Sequence, residues 1–182
     1  MQNLLSFARQ HKPERVRVRL NAILEDTLAL RDYDLRLSQI RVHLGLAPDL
    51  PEVSADPHQL QQVFLNLINN ALDAILEKSH EGDLWVRTGV HEKHAFVEFT
   101  DSGPGVKDAS RVFDPFYTTK PVGKVTGLGL SICYGIVTEH GGVIHVRNEA
   151  DRGATFRIEL PLEADANGQQ PIGAGAAEMR HG

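Results

Sequence analysis

The sequence predicts an α+β domain. Three observations carry that reading: helical periodicity in three separate stretches, strand-like runs that come in adjacent pairs, and a hydrophobic content of 41% in 182 residues, enough for one core and about one domain. In chain order, residues 1 to about 12 are amphipathic, with Leu4, Leu5 and Ala8 on one side, and Pro13 stops them. "VRVRL" reads as a short strand, and Asn21 as the N-cap of a helix through about Arg36. "IRVHLGL" alternates as a strand. Asp56 followed by Pro57 places a capping residue before a proline at the first helical position, and so opens the long helix that carries "QQVFLNLINNALDAI". "DLWVRTGVH" and "HAFVEFTD" are the next two strands. The loop that follows, from about Ser102 to Thr126, is rich in Gly, Pro, Thr and Lys and too long for a simple connection. A helix from near Gly127 to His140 ends at "HGG", and "GVIHVRNE" with "ATFRIELP" forms a last hairpin. Beyond Leu162 the residues are small, polar and glycine-rich, as in a linker or flexible tail.

Composition narrows the function classes. The net charge is -5 and the pI about 6.0, and basic residues do not cluster with aromatics, which argues against a nucleic-acid surface. The single Cys133 rules out an internal disulfide and fits a reducing cytosol. No apolar run approaches the ~18 residues of a membrane span, and "MQNLLSFARQHKPER" lacks the apolar centre of a signal peptide. A cytoplasmic location is expected, with membrane contact only through segments upstream of this chain.

The long helix poses the chemical question. Its apolar residues cover most of the cylinder, yet Gln59, Gln62, Asn66, Asn69, Asn70, Asp73 and Glu77 fall in one arc of about 100°, since their spacings combine threes and fours. A wet face usually carries Glu, Lys, Arg or Gln, whereas asparagine is a poor helix former. An amide carbonyl is a hard neutral ligand, and Asn66 and Asn70 at i and i+4 would aim two of them at one point, as a magnesium ion bridging phosphates could use. Solvation and ligand binding both account for the stripe taken alone. Two further places invite chemistry. In "DSGPG", Asp101 ends a strand, and Gly103 and Gly105 allow a tight turn. In "TGLGLS", Thr126, Gly127, Leu128, Gly129 and Leu130 form a glycine-rich helix start whose free N–H groups suit a phosphate.

In this order and spacing the three motifs resemble the ATP-binding catalytic domain of sensor histidine kinases, within the wider family of gyrase, mismatch-repair and heat-shock chaperone ATPases. "NLINNALDA" is similar to the asparagine box, "DSGPG" to the first glycine box, "FDPFYTTK" to the phenylalanine box and "TGLGLS" to the second glycine box, and "FYTTKPVGK" and "SICYGIVTEHGG" are most similar to the nitrogen-regulation type. The resemblance implies a two-layer α/β sandwich of the Bergerat type: a mixed, mostly antiparallel sheet of about five strands, covered by about three helices, with a long ATP lid. It divides the chain into the end of a dimerisation helix (1–14), the ATP-binding domain (15–162) and a tail or linker (163–182). The implied cofactors are ATP and Mg2+. Asn66 would ligate magnesium, Asn70 the ion or the phosphates, with Asp73 alongside. Asp101 would accept from the adenine amino group, Gly103 and Gly105 would pass the base and ribose, and Thr155 would join the adenine network through water. Lys120 would stand near the terminal phosphates, and Phe113 and Phe116 would fasten the lid.

The implied reaction is transfer of the γ-phosphoryl group to a histidine on a dimerisation domain that this chain lacks, and the implied downstream partner is the receiver domain of a response regulator. No catalytic acceptor is assigned in this chain: the His-Glu pairs at His80 and His91 lack the residues that follow an acceptor histidine. Two departures qualify the resemblance. Val125 stands where the second glycine box has its middle glycine, and Gln62 is expected where hydrolytic relatives carry a water-activating glutamate. Three readings therefore compete: a kinase catalytic half, a nucleotide-binding regulatory module without kinase activity, and an ATP-driven conformational ATPase.

Overall fold

The computed structural model describes residues 13–119 and 127–162. Among them the elements follow the predicted order apart from one addition, β3: β1 (Val16–Val18), α1 (Leu20–Leu37), β2 (Ile40–Gly45), β3 (Val53–Ala55), α2 (Pro57–Lys78), β4 (Gly82–His91), β5 (His94–Asp101), α3 (Gly129–Glu139), β6 (Val143–Asn148) and β7 (Ala154–Pro161). Five strands form one sheet in the order β2-β4-β5-β7-β6; only β2 pairs parallel with its neighbour β4. The mixed, mostly antiparallel sheet and the three helices agree with the expected class.

Period-two alternation divides the sheet into two faces. On β5 the residues Ala95, Val97 and Phe99, and on β7 Phe156, Ile158 and Leu160, are at most 2% exposed and face the helices. The central helix α2 packs over β4 and β5, α1 lies beside β2, and α3 beside β6. α2 offers Leu60, Val63, Phe64, Leu67, Ile68, Ala71, Leu72 and Ile75 to this core, and full burial of each large side chain contributes about 1.5–3 kcal/mol. Among the described residues no helix covers the other face of the sheet. There the aromatic rings lie under guanidinium groups: Arg152 sits 4.1 Å from the Trp85 centroid and Arg157 4.0 Å from that of Phe96. Buried Glu98 is held between Arg157 and Arg147, at 3.1 and 3.4 Å.

Two features depart from the sequence reading. β3 was not expected: it pairs antiparallel with β1, Val16 opposite Ala55, in a separate two-stranded ribbon. Asn21 does not cap α1, whose N-cap is Arg19 with no side-chain bond. Its amide instead donates to Ala47 O (2.8 Å) and accepts from Thr88 Oγ1 (2.9 Å), while Thr88 Oγ1 accepts from Ala47 N–H (2.9 Å). This closed polar triangle ties α1 to β4 and the loop after β2. Asp56 does cap α2, its Oδ1 accepting from His58 and Gln59 N–H at 2.9 and 3.2 Å. No helix among the described residues is long and apolar enough to cross a membrane. Of the segments 1–14 and 163–182, assigned above to a dimerisation helix and a tail, only Pro13 and Glu14 lie within the described residues.

Candidate functional site

A cavity of about 320 Å³ opens between α2, the exit of β5 and the start of α3. The asparagine face of α2 forms one wall: Asn66, Asn69, Asn70, Asp73 and Glu77 all line it. The stripe is therefore a cavity wall, with Oδ1 of Asn69 buried and without a hydrogen-bond partner among the described residues. Three amides and two carboxylates on one wall give the cavity a polar side suited to a polar occupant.

Asp101 closes the apolar end. It shares the helix-facing parity of Val97 and Phe99, which carries its carboxylate into the helix layer where β5 ends. Its Oδ1 accepts from Gly103 N–H at 2.8 Å and Ala154 N–H at 3.4 Å. Burial pushes its pKa above the ordinary carboxylate value, against the opposing pull of those two N–H groups and of Lys78. Two glycines make room for it. A Cβ on Gly103 would stand 2.8 Å from the Ala74 backbone of α2, and one on Gly153 would stand 2.1 Å from Asp101 Oδ1 and 2.8 Å from Gly103 N. Gly153→Ala is accordingly expected to displace Asp101 and to lower stability by about 1–3 kcal/mol, the range of an overpacked core. Thermal unfolding measures it; an unchanged melting temperature would contradict this packing.

At the polar end, Gly127, Gly129 and Leu130 line the cavity, and α3 begins there with no side-chain cap from its N-cap residue Leu128. Asn66 Nδ2 donates to Gly129 O at 3.3 Å and so joins the two walls. Gly127 (φ 68) is required: a Cβ would lie 2.9 Å from the Phe116 backbone, whose N–H donates to Gly127 O at 3.0 Å. On the near side, the Asn148 amide accepts from Val106 N–H (2.8 Å) and donates to Val106 O (2.9 Å), which pins the segment after Gly105 as a third wall. Gly105 has φ 82.

The structure brings together Asn66, Asn70, Asp73, Asp101, Gly105, Gly127, Gly129 and Leu130, with Gly103 packed just behind. Leu128 is the N-cap of α3 and does not line the cavity. Thr155 does not reach it either. Its hydroxyl donates to Glu149 Oε1 and accepts from Thr100, both at 2.7 Å, on the face away from the helices, and its neighbours Ala154 and Phe156 line the cavity instead. Lys120 and Thr126, like Val125, lie outside the described residues. Gln62 is exposed and off the cavity wall, so the comparison with a water-activating glutamate cannot rest on it; Asn66, one turn on, takes the wall position. Of the two expected lid fasteners, Phe113 packs against Tyr134 and Phe156, at 5.9 and 6.2 Å, whereas the Phe116 side chain is 74% exposed. Sequence reasoning missed Lys107, Ala154 and the stretch Tyr117–Thr119, all of which line the cavity; the last directly follows "FDPF".

Among the described residues, no cluster of three His, Cys, Asp or Glu side chains could hold a metal by itself. The donors present are amide oxygens and isolated carboxylates. That set suits a hard, strongly hydrated cation which takes one or two protein ligands and completes its shell with phosphates and water.

The comparisons agree with this architecture. Residues 55–164 match the family model described as "Histidine kinase-, DNA gyrase B-, and HSP90-like ATPase". The sensor protein TdiS of Thauera aromatica is 32% identical over 169 residues, covering 89% of this chain and 30% of TdiS. The chain thus spans less than a third of that relative. The nucleotide-free catalytic domain of histidine kinase ThkA superposes with a TM-score of 0.73 at 30% identity, over 81% of this chain and 95% of that one. The same kinase in complex with response regulator protein TrrA gives 0.73 at 26% identity, over 90% and 46%. Full-length ShkA in complex with AMPPNP gives 0.69 at 27% identity, over 81% and 31%. With an asparagine-lined helix, a buried strand-end carboxylate and a glycine-rich helix start around one cavity, and with the family model matched through all three, the chain belongs to the histidine kinase-, DNA gyrase B-, and HSP90-like ATPases.

Proposed function

We propose that this chain binds Mg-ATP in the cavity and donates the γ-phosphoryl group to a histidine on a separate dimerisation domain, as the catalytic half of a cytoplasmic sensor kinase whose downstream partner is a response-regulator receiver domain. The observation that carries the reading is the convergence of Asp101, Asn66 with Asn70, and the glycine-rich start of α3 on one cavity. Asp101 accepts from the adenine amino group, and Ala74, Val112 and Phe156 supply the apolar bed for the base. The α3 N–H groups take phosphate oxygens. Asn66 and Asn70 would hold magnesium, which when bound neutralises charge building on the phosphates. Lys120 and Thr126 extend the phosphate end in this proposal.

Phosphoryl transfer asks for positioning and charge stabilisation more than for a nucleophile from this chain. An incoming imidazole nitrogen bonds to the γ-phosphorus, the bond from that phosphorus to the β,γ-bridging oxygen breaks, and ADP carries away the electron pair. The buried Cys133 thiol takes no part: burial pushes its pKa up to about 12, which keeps it protonated. Incubation with γ-labelled ATP tests the proposal. The expected result is label on an added dimerisation domain bearing the acceptor histidine and none on this chain. Stable acid-labile label on the chain by itself would place the acceptor among its own histidines and overturn the reading.

A further inference from the structure

The two helices that face each other across the cavity run antiparallel, and polar bonds tie them at three levels. At the cavity end Asn66 Nδ2 donates to Gly129 O at 3.3 Å. Midway, the Cys133 thiol donates to Val63 O at 3.7 Å. At the far end, Asp56 N–H donates to His140 Nε2 at 3.0 Å. Because a backbone N–H can only donate, Nε2 accepts and the ring proton sits on Nδ1, which bonds Ile136 O at 2.8 Å. Sliding α3 by one residue would break all three cross-links together.

The far end is also where the chain enters the domain. Asp56 Oδ1 caps α2, and its Oδ2 accepts from Glu14 N–H at 3.1 Å. The Arg15 guanidinium donates to Glu139 O, in the last turn of α3. Asp56 and His140 are 2% and 4% exposed, so the bond between them stands out of water and is costly to leave unmade. A helix transmits axial displacement as a rod, its own hydrogen bonds resisting compression, and close packing leaves little slack.

We infer that Asp56 and His140 form a positioning node through which the entering segment Glu14–Arg15 sets the register of α3 against α2, and with it the separation of the asparagine wall from the glycine-rich helix start. A pull on that segment would thus open or close the phosphate end of the cavity about 15 Å away, by the rise of one helix over ten residues. The consequence for catalysis rests on the nucleotide reading above; the mechanical coupling does not.

Hydrogen exchange on the full chain without nucleotide separates the two. His140→Asn keeps a donor for Ile136 O but loses the acceptor for Asp56 N–H. His140→Gln keeps the acceptor, and Arg15→Ala cuts the entering segment at an exposed side chain. The amide of Ile132, bonded to Leu128 O at 2.9 Å in the first turn of α3, is the reporter. His140→Asn and Arg15→Ala should speed its exchange about tenfold, the factor for one net hydrogen bond, while Val97 in β5 keeps its rate and His140→Gln stays near the parent. An unchanged Ile132 rate, a parallel rise at Val97, or equal damage from His140→Gln would each overturn the node. Failure of the parent chain to bind Mg-ATP would strike the functional reading and leave this result standing.

Discussion

Asp101→Asn is expected to weaken ATP binding by about 10- to 100-fold, or roughly 1–3 kcal/mol, with little loss of fold. The carboxylate is an acceptor at both oxygens, and Oδ1 is already engaged by Gly103 and Ala154 N–H. An asparagine keeps one acceptor for those N–H groups and turns a donor toward the adenine amino group, where donor faces donor. Isothermal titration of the variant measures the loss, and unchanged affinity would remove Asp101 from the site. The carboxyl also gives a pH signature. Its folded pKa lies above the ordinary value because of burial, so the folded state takes up this proton more readily than the unfolded chain. The ionised group therefore costs stability above its folded pKa, and that cost is relieved as pH falls through it, the reverse of a salt-bridged carboxylate. Adenine affinity should fall over the same window, since protonation converts one acceptor to a donor.

Asn66→Ala is expected to abolish most of the magnesium dependence of ATP binding. With magnesium, affinity should drop by about tenfold or more, while in chelator the loss should be far smaller, because beyond the tie to Gly129 what is lost is a neutral oxygen ligand and not a contact to the base. Asn66 also donates to Gly129 O at 3.3 Å, so the melting temperature of the ligand-free protein should fall slightly. Equal losses with and without magnesium would assign Asn66 to α3 positioning alone.

How much of this was legible in the sequence depended on whether the cue was local. The cap Asp56-Pro57, the alternation of β4, β5 and β7 and the odd choice of asparagine on α2 are written within a few residues of themselves, and each led to the right element. Strand phase was harder. Thr155 is one residue from two cavity-lining neighbours, and in a strand one residue is the difference between faces. β1 is visible in "VRVRL", but its partner β3 is not, because the three residues Val53–Ala55 give too few alternations to show a period. Asn21 looked like a cap because caps and tertiary amide bonds use the same residue type; only Ala47 and Thr88, far along the chain, decide between them. The Asp56–His140 bond spans 84 residues, and Gly153 matters through what its missing Cβ leaves for Asp101; neither leaves a pattern in sequence.

Calorimetric titration of the full chain with ATP and with GTP, each with magnesium and with chelator, tests the central claim most directly. The account predicts one site for ATP in the micromolar range, weakened by chelator. GTP should show little or no binding, because guanine presents a carbonyl oxygen where Asp101 requires an amino donor. Absence of ATP binding, or equal affinity for GTP, would contradict it.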